Sequence, residues 1–184
     1  MAYINEKTLG SEQIFDGIVV KLFRDDVELE NGGKAVREFI RHPGGVCVAA
    51  VDGEGMLYMV EQYRYPFHTA LTEVPAGKLE FGEDPEECGR RELKEEVGAE
   101  AKRFEYLGKL YPTVAYDTEI IHMYLARDLS FGEQHLDEGE FLGVKKIPLE
   151  QAFGMVMNDE VPDAKTQLAI IKAYMKIKSE GQGK

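Results

Sequence analysis

Apolar residues come first in short blocks bounded by turn residues, and this spacing predicts strands. Residues 14–23 are apolar-rich and β-branched, and Val27 and Leu29 alternate with acids. Asn31-Gly32-Gly33 supplies a hairpin turn. Val36, Phe39 and Ile40 continue the pattern as far as His42-Pro43-Gly44-Gly45, a breaker that marks a boundary. Residues 45–51 are almost wholly apolar and read as a buried strand. Residues 52–55 form a turn, and 56–62 the next strand. Further strands are expected over 104–110, 120–126 and 141–147. The period then changes. Pro148 opens a short helix ending near Asn158, and Asp163 caps a longer one carrying Leu168, Ile171, Tyr174 and Met175 on one face. Strands, a helix, more strands and more helices give a mixed α/β (α+β) layered domain.

Between those blocks lies a charged segment, residues 77–99, that is neither loop nor strand. Asp84 is a good N-cap, Pro85 suits the first helical position, Glu87 fits a capping box, and Gly98 suits the stop. At about 100° per residue, Glu92, Glu95 and Glu96 share one side of this helix. Like charges at that spacing cost a few tenths of a kcal/mol per pair, which a cation between them offsets. Hard oxygen donors suit Mg²⁺ or Mn²⁺ and not zinc. The plain alternative is a solvated acidic face. The glycine-rich approach, Ala76-Gly77 and Gly82, favours the site reading, because it brings backbone close to the helix start.

Charge and cysteine content narrow the field. The 184 residues include 22 basic and 34 acidic ones, a formal net charge of −12. That balance argues against nonspecific binding to nucleic acid or to anionic membranes. It leaves a phosphate substrate open, since a divalent ion and a few arginines reverse the local field. Cys47 and Cys88 lack zinc spacing, and Cys47 sits in an apolar run as a small core residue. Residues 1–7 do not read as a signal peptide, and no apolar run is long enough to cross a bilayer, so a cytoplasmic location is expected.

The pattern Gly77-x5-Glu83-x7-Arg91-Glu92-Leu93-x-Glu95-Glu96-x-Gly98-Ala99 fills 23 positions and resembles the signature box of the Nudix hydrolases, with every fixed position present. Two flanking runs resemble the ADP-ribose pyrophosphatase branch: Gln62-Tyr63-Arg64-Tyr65-Pro66 and Glu73-Val74-Pro75-Ala76-Gly77-Lys78-Leu79-Glu80. The strand-rich segment before residue 43 resembles the small domain that this branch exchanges across a two-fold dimer. The resemblance implies a mixed sheet sandwiched between helices. It implies a dimerisation element over 1–42, a hydrolase domain over 43–179 and a frayed tail over 180–184. One segment departs from the branch: Val114-Ala115 stands where Pro-Gly is expected, which changes the backbone freedom of that loop.

The implied reaction is metal-dependent hydrolysis of the pyrophosphate of a nucleoside diphosphate sugar, ADP-ribose giving AMP and ribose 5-phosphate. Another sugar nucleotide such as GDP-mannose, or ADP-ribose sensing without hydrolysis, are the alternatives; the complete box argues against the second. Glu92 and Glu96, one turn apart, are the expected metal ligands. By resemblance, the carbonyl of Ala76 is a third. Glu95 either joins a second metal or positions Arg91, with a plain surface ion pair as the alternative. Arg64 and Glu80 are expected near the diphosphate and Glu73 near a base edge or sugar hydroxyl, against plain surface roles for each. Glu83 is expected to pair with Arg91, with a metal contact as the alternative. The box acids being occupied, the general base must lie elsewhere. Residues 135–141 resemble a mobile loop of the branch whose Glu-x-Glu approaches the metals, which implies Glu138 as the base and Glu140 as an accessory metal carboxylate, with a solvated acidic loop as the alternative. The four histidines make no metal spacing.

Overall fold

The computed structural model describes residues 5–136, 139 and 141–182. Two compact units divide the chain. One holds the residues up to Gly44 together with Tyr111–Ile120; the other holds Gly45–Leu110 and the chain from Ile121 onward.

The first unit is a three-stranded antiparallel sheet of β1 (Lys7–Asp16), β2 (Lys21–Glu28) and β3 (Lys34–Ile40), in that order. Gly32 takes φ 77° in the β2–β3 turn, where the Asn31 side chain accepts a bond from the Gly33 N–H at 2.9 Å. The first strand begins at Lys7, seven residues ahead of the apolar block that predicted it. Its N-terminal half has little apolar patterning and is held by main-chain pairing, Lys7 opposite Glu28. Segment 111–120 adds to the end of β3: Ile40 donates to the Tyr116 carbonyl at 2.8 Å, and Thr118 donates to the Ile40 carbonyl at 3.0 Å. The unit leaves Leu9, Ile14, Phe15, Ile18 and Val19 exposed, Ile18 almost completely.

The second unit is built on β4 (Gly45–Val51), β5 (Met56–Arg64), β6 (Thr69–Glu73), β7 (Ala76–Lys78), β8 (Ala99–Leu110), β9 (Ile121–Phe131) and β10 (Gly143–Pro148). The sheet order is β10-β5-β4-β9-β8, with β6 beside β5 and β7 beside β4. Among the described strands of this sheet, only β4 and β9 run parallel. Strand β4 is buried along its whole length, so both of its faces must be apolar, as its sequence is. Alternation splits it between two cores. Val46, Val48 and Ala50 join Leu93, Cys88 and Val97 of helix α1 (Pro85–Val97). Cys47, Ala49 and Val51 join Leu149, Ala152, Ala169, Ile170 and Ala173 of α2 (Leu149–Met157) and α3 (Ala164–Gln182). The sheet is therefore sandwiched between α1 and the α2–α3 pair, an α+β layout.

Burial pushes the Cys47 thiol up to about 12, consistent with an inert core residue. On α3, the stripe of Ile170, Ala173, Tyr174 and Ile177 meets the core, while Met175 is turned out to solvent. Tyr174 instead stacks on Phe153 of α2 with ring centres 4.2 Å apart. The helix continues to Gln182, into the tail expected to fray. Among the described residues, no helix is long and apolar enough to cross a membrane.

Candidate active site

Helix α1 carries the site, and its ends are determined locally. Asp84 Oδ1 accepts from the N–H groups of Glu86 and Glu87 at 2.8 and 3.3 Å. Gly98, at φ 70°, closes the helix by donating to the carbonyls of Leu93 and Lys94. Cys88, Gly89, Leu93 and Val97 are buried and set the rotation of the helix on the sheet. A Cβ on Gly89 would lie 3.1 Å from the Phe104 ring, so glycine allows the close approach. That rotation turns Glu92 and Glu96 toward the backbone of β7.

Glu96 is buried and accepts the Ala76 N–H at 2.9 Å. Glu92 lies against Gly77: a Cβ built there would fall 1.9 Å from the Glu92 carboxylate. Two ligand-type acids, one turn apart, thus close on two consecutive backbone residues. The Ala76 N–H is engaged with Glu96, and the Gly77 side leaves room for a carboxylate. Gly77 does not occupy the left-handed region, so its requirement is one of space. Gly77→Ala is expected to keep the folding midpoint near wild type while lowering kcat/KM by about 10²-fold, the size of effect expected when a reacting group shifts by ~1 Å. Thermal melts with steady-state kinetics check this; full activity in the alanine variant would show that the Glu92 position is not critical.

Arg91 is the hub of the acidic cluster. Its Nη1 donates to Glu92 at 2.8 Å and to Glu95 at 2.9 Å, and its Nε and Nη2 donate to Glu83 at 3.1 and 3.3 Å. Hydrogen bonding by Glu83 leads the effects that hold the guanidinium firmly protonated. In return, the Arg91 bonds hold the Glu83 carboxyl below its usual range. Burial pushes the neighbouring Cys88 thiol up to about 12. Glu80 is exposed, and its N–H donates to Glu83 at 2.8 Å.

Three carboxylates on or beside α1 (Glu83, Glu92 and Glu95) therefore share one guanidinium, with Glu96 beside them on Ala76. Among the described residues no three acid, histidine or cysteine side chains converge as a preformed metal cage. The donor set still fits a hard divalent cation by its chemistry. It offers excess carboxylate oxygen, strand backbone at Ala76-Gly77, and no sulfur or imidazole among the expected ligands. Glu92, Glu96 and the Ala76 carbonyl are the donors that suit it.

Arg64 and Glu73 are brought together and bind each other. Arg64 Nε and Nη2 each donate to one Glu73 oxygen at 2.7 Å, a bidentate pair. Glu73 is only 2% exposed. Burial alone would push its carboxyl up, but the bonds from Arg64 and the charge of Lys165 outweigh it, and the group stays below the usual range. The pair bridges β5 and β6, which are in register from Val60–Glu73 to Arg64–Thr69.

The sequence reading missed a third participant, the first turn of α3. Lys165 Nζ bonds both Glu73 and Asp163, the latter at 2.9 Å. The buried Thr166 hydroxyl accepts the Val74 N–H at 3.1 Å. A signal was present: a lysine in the first turn opposes the helix dipole, so it needs a specific acidic partner. Nothing local names that partner, which is 92 residues away.

Glu138 and Glu140 lie outside the described residues. The segment before them is tied to the box helix, with His135 N–H donating to the Glu95 carbonyl at 3.0 Å and Gln134 Nε2 to the Glu96 carbonyl at 2.6 Å.

A mixed sheet between helices, with a complete acidic box on the helix that meets a Gly-containing strand, defines a Nudix hydrolase. The chain belongs to the Nudix family: the NUDIX domain matches residues 41–169. An ADP-ribose pyrophosphatase of Bacillus subtilis (strain 168) is 45% identical over 180 residues, 97% of this chain and 96% of that protein. A methanol dehydrogenase activator of Bacillus methanolicus is 46% identical over 167 residues, 90% of each chain. The fold matches a solved ADP compounds hydrolase with a TM-score of 0.86 over 98% of both chains, at 24% identity.

Proposed function

We propose that this protein hydrolyses the pyrophosphate of ADP-ribose, giving AMP and ribose 5-phosphate, with Mg²⁺ as its metal and Mn²⁺ as a substitute. The observation that carries the reading is the closure of Glu92 and Glu96 on the Ala76-Gly77 backbone. The near full-length similarity to a protein named for that activity supports the substrate.

Glu92, Glu96 and the Ala76 carbonyl hold the metal, with Glu140 as an accessory ligand. When bound, the metal neutralises phosphate charge and lowers the pKa of water. Arg91 spaces the box acids and keeps Glu92 and Glu95 in their rotamers. Arg64 is the charge-assisted donor to a phosphate oxygen, and Glu80 orients the diphosphate side of the ligand. Glu73 acts through Arg64; its burial and pairing make it a support more than a direct contact to base or sugar. Glu138 removes the proton from the attacking water. The products leave as two monoesters, and the proton is carried away by solvent. Two buried free thiols suit a reducing compartment, and the proposed location is the cytoplasm.

A hydrolysis panel of nucleoside diphosphate sugars with Mg²⁺ and with Mn²⁺, with products identified by chromatography, tests the reading. ADP-ribose is expected to be turned over fastest. Preference for GDP-mannose would move the substrate and keep the reaction, and the Val114-Ala115 departure makes that the first competitor to include. Binding without turnover would replace the enzyme by a sensor.

The proposed assembly is a homodimer made through the first unit. Its exposed Phe15, Ile18 and Val19 form an apolar surface unusual for a monomer. Light scattering of the full-length protein is expected to give twice the 20.7 kDa chain mass. Removal of residues 1–42 is expected to abolish that dimer. A monomeric full-length chain overturns the assembly.

A further inference from the structure

Lys165 lies in the first turn of α3, far along the chain from the signature box, yet its side chain is only 13% exposed. It completes a layered network. Glu73 is innermost at 2% exposed, Lys165 and Asp163 come next at 13% and 21%, and Arg64 is outermost at 38%. Arg64 spends Nε and Nη2 on Glu73 and makes no hydrogen bond through Nη1 among the described residues. That edge is available to a ligand. The Glu73 bond leads the effects that hold the Arg64 guanidinium protonated, and the charges of Asp163 and Glu96 add to it.

The charge count sets the problem. An arginine locked bidentate onto one carboxylate is a neutral pair, and a neutral pair attracts a phosphate weakly. Lys165 adds a second positive charge to the same carboxylate, so Arg64, Glu73 and Lys165 together are net +1. Asp163, ion-paired to Lys165 at 2.9 Å, brings the four groups to zero, so Lys165 supplies a second partner for the Glu73 carboxylate and not a net charge on the network that includes Asp163. Asp163 Oδ2 also accepts the Thr166 N–H at 3.0 Å, at the positive end of α3.

We infer that Lys165 is a positioning residue for substrate phosphate: it shares Glu73 with Arg64 and fixes that carboxylate, leaving the Arg64 guanidinium oriented with its Nη1 edge toward the ligand. The inference rests on the proposed role of Arg64 in binding a phosphate. It differs from a purely structural role for Lys165, in which the lysine only neutralises a buried acid.

The test uses full-length protein carrying Lys165→Met, Lys165→Arg, Arg64→Gln, and Lys165→Met combined with Arg64→Gln. Two readouts are taken: KM and kcat for ADP-ribose, and ADP-ribose affinity by calorimetry in EDTA, where no turnover occurs. Lys165→Met is expected to raise KM and the metal-free Kd roughly tenfold, the lower end for a charged hydrogen bond. The fall in kcat is expected to be smaller. Lys165→Arg is expected to recover most of the affinity. In the double variant, Lys165→Met is expected to add little to Arg64→Gln, because it acts through Arg64.

Wild-type KM and Kd in a folded Lys165→Met protein overturn the inference, as does an additive double variant. Unchanged affinity in Arg64→Gln overturns the phosphate role of Arg64 itself and is thereby told apart. Should Lys165→Met fail to fold, Lys165→Gln carries the same test, because it keeps a donor and removes the charge.

Discussion

Glu92→Gln and Glu96→Gln are each expected to lower kcat by about 10³-fold, with the thermal midpoint within a few degrees of wild type. The estimate follows from losing several kcal/mol of metal-derived stabilisation in the transition state. Glutamine keeps the shape and the hydrogen-bonding oxygen, so Ala76 N–H retains an acceptor in the Glu96 variant. What is removed is charge. In the Glu92 variant, Arg91 keeps its bonds to Glu83 and Glu95 and the cluster stays together. Isothermal titration with Mn²⁺ gives the second readout, and weaker metal binding is expected in both variants. Near wild-type turnover at saturating metal in either one would remove that residue from the ligand set.

The second large effect is expected from Glu138→Gln, a drop in kcat of roughly 10²- to 10⁴-fold, the range for loss of a general base. KM is expected to change little, because the base acts on water and not on the bound ligand. Glu138 lies in a run that resembles the branch's mobile Glu-x-Glu loop, and the reaction needs a base outside the box. Glu83 and Glu95 are bonded to Arg91, Glu96 is bonded to Ala76, and Glu92 is bonded to Arg91 while lying on Gly77. These four acids are therefore already engaged. Gln134 and His135 bond the carbonyls of Glu96 and Glu95. Kinetics over pH decide: full kcat and an unmoved acidic limb in Glu138→Gln would pass the role to another carboxylate, with Glu80 next.

The contrast between Glu83 and Glu73 shows how far local reading reached. Glu83 sits eight residues before Arg91, across the helix cap, and helical geometry alone brings their side chains within reach. Glu73 sits nine residues after Arg64, but its second cation, Lys165, is 92 residues away. The first pairing is a consequence of one helix and its cap. The second requires two strands and a third element to be packed first.

The elements themselves divide in the same way. Periodicity and turn chemistry located the buried strand at Gly45–Val51, the Asp84 cap and the Gly98 stop, because each depends on neighbours along the chain. The strand ends shifted where pairing, not apolar patterning, does the work, as at Lys7 and Ala99. The α3 stripe differed at Met175, since the exact face depends on what the helix lies against.

The sequence by itself determined the layered α+β class, the signature box and the two acids one turn apart, since helix period and cap residues are local properties. Only the tertiary structure decided that Gly77 leaves room for the Glu92 carboxylate, that Glu96 accepts the Ala76 N–H, and that Lys165 shares Glu73 with Arg64. Those contacts join segments distant along the chain, and their geometry exists only once β7, α1 and α3 have packed on the sheet.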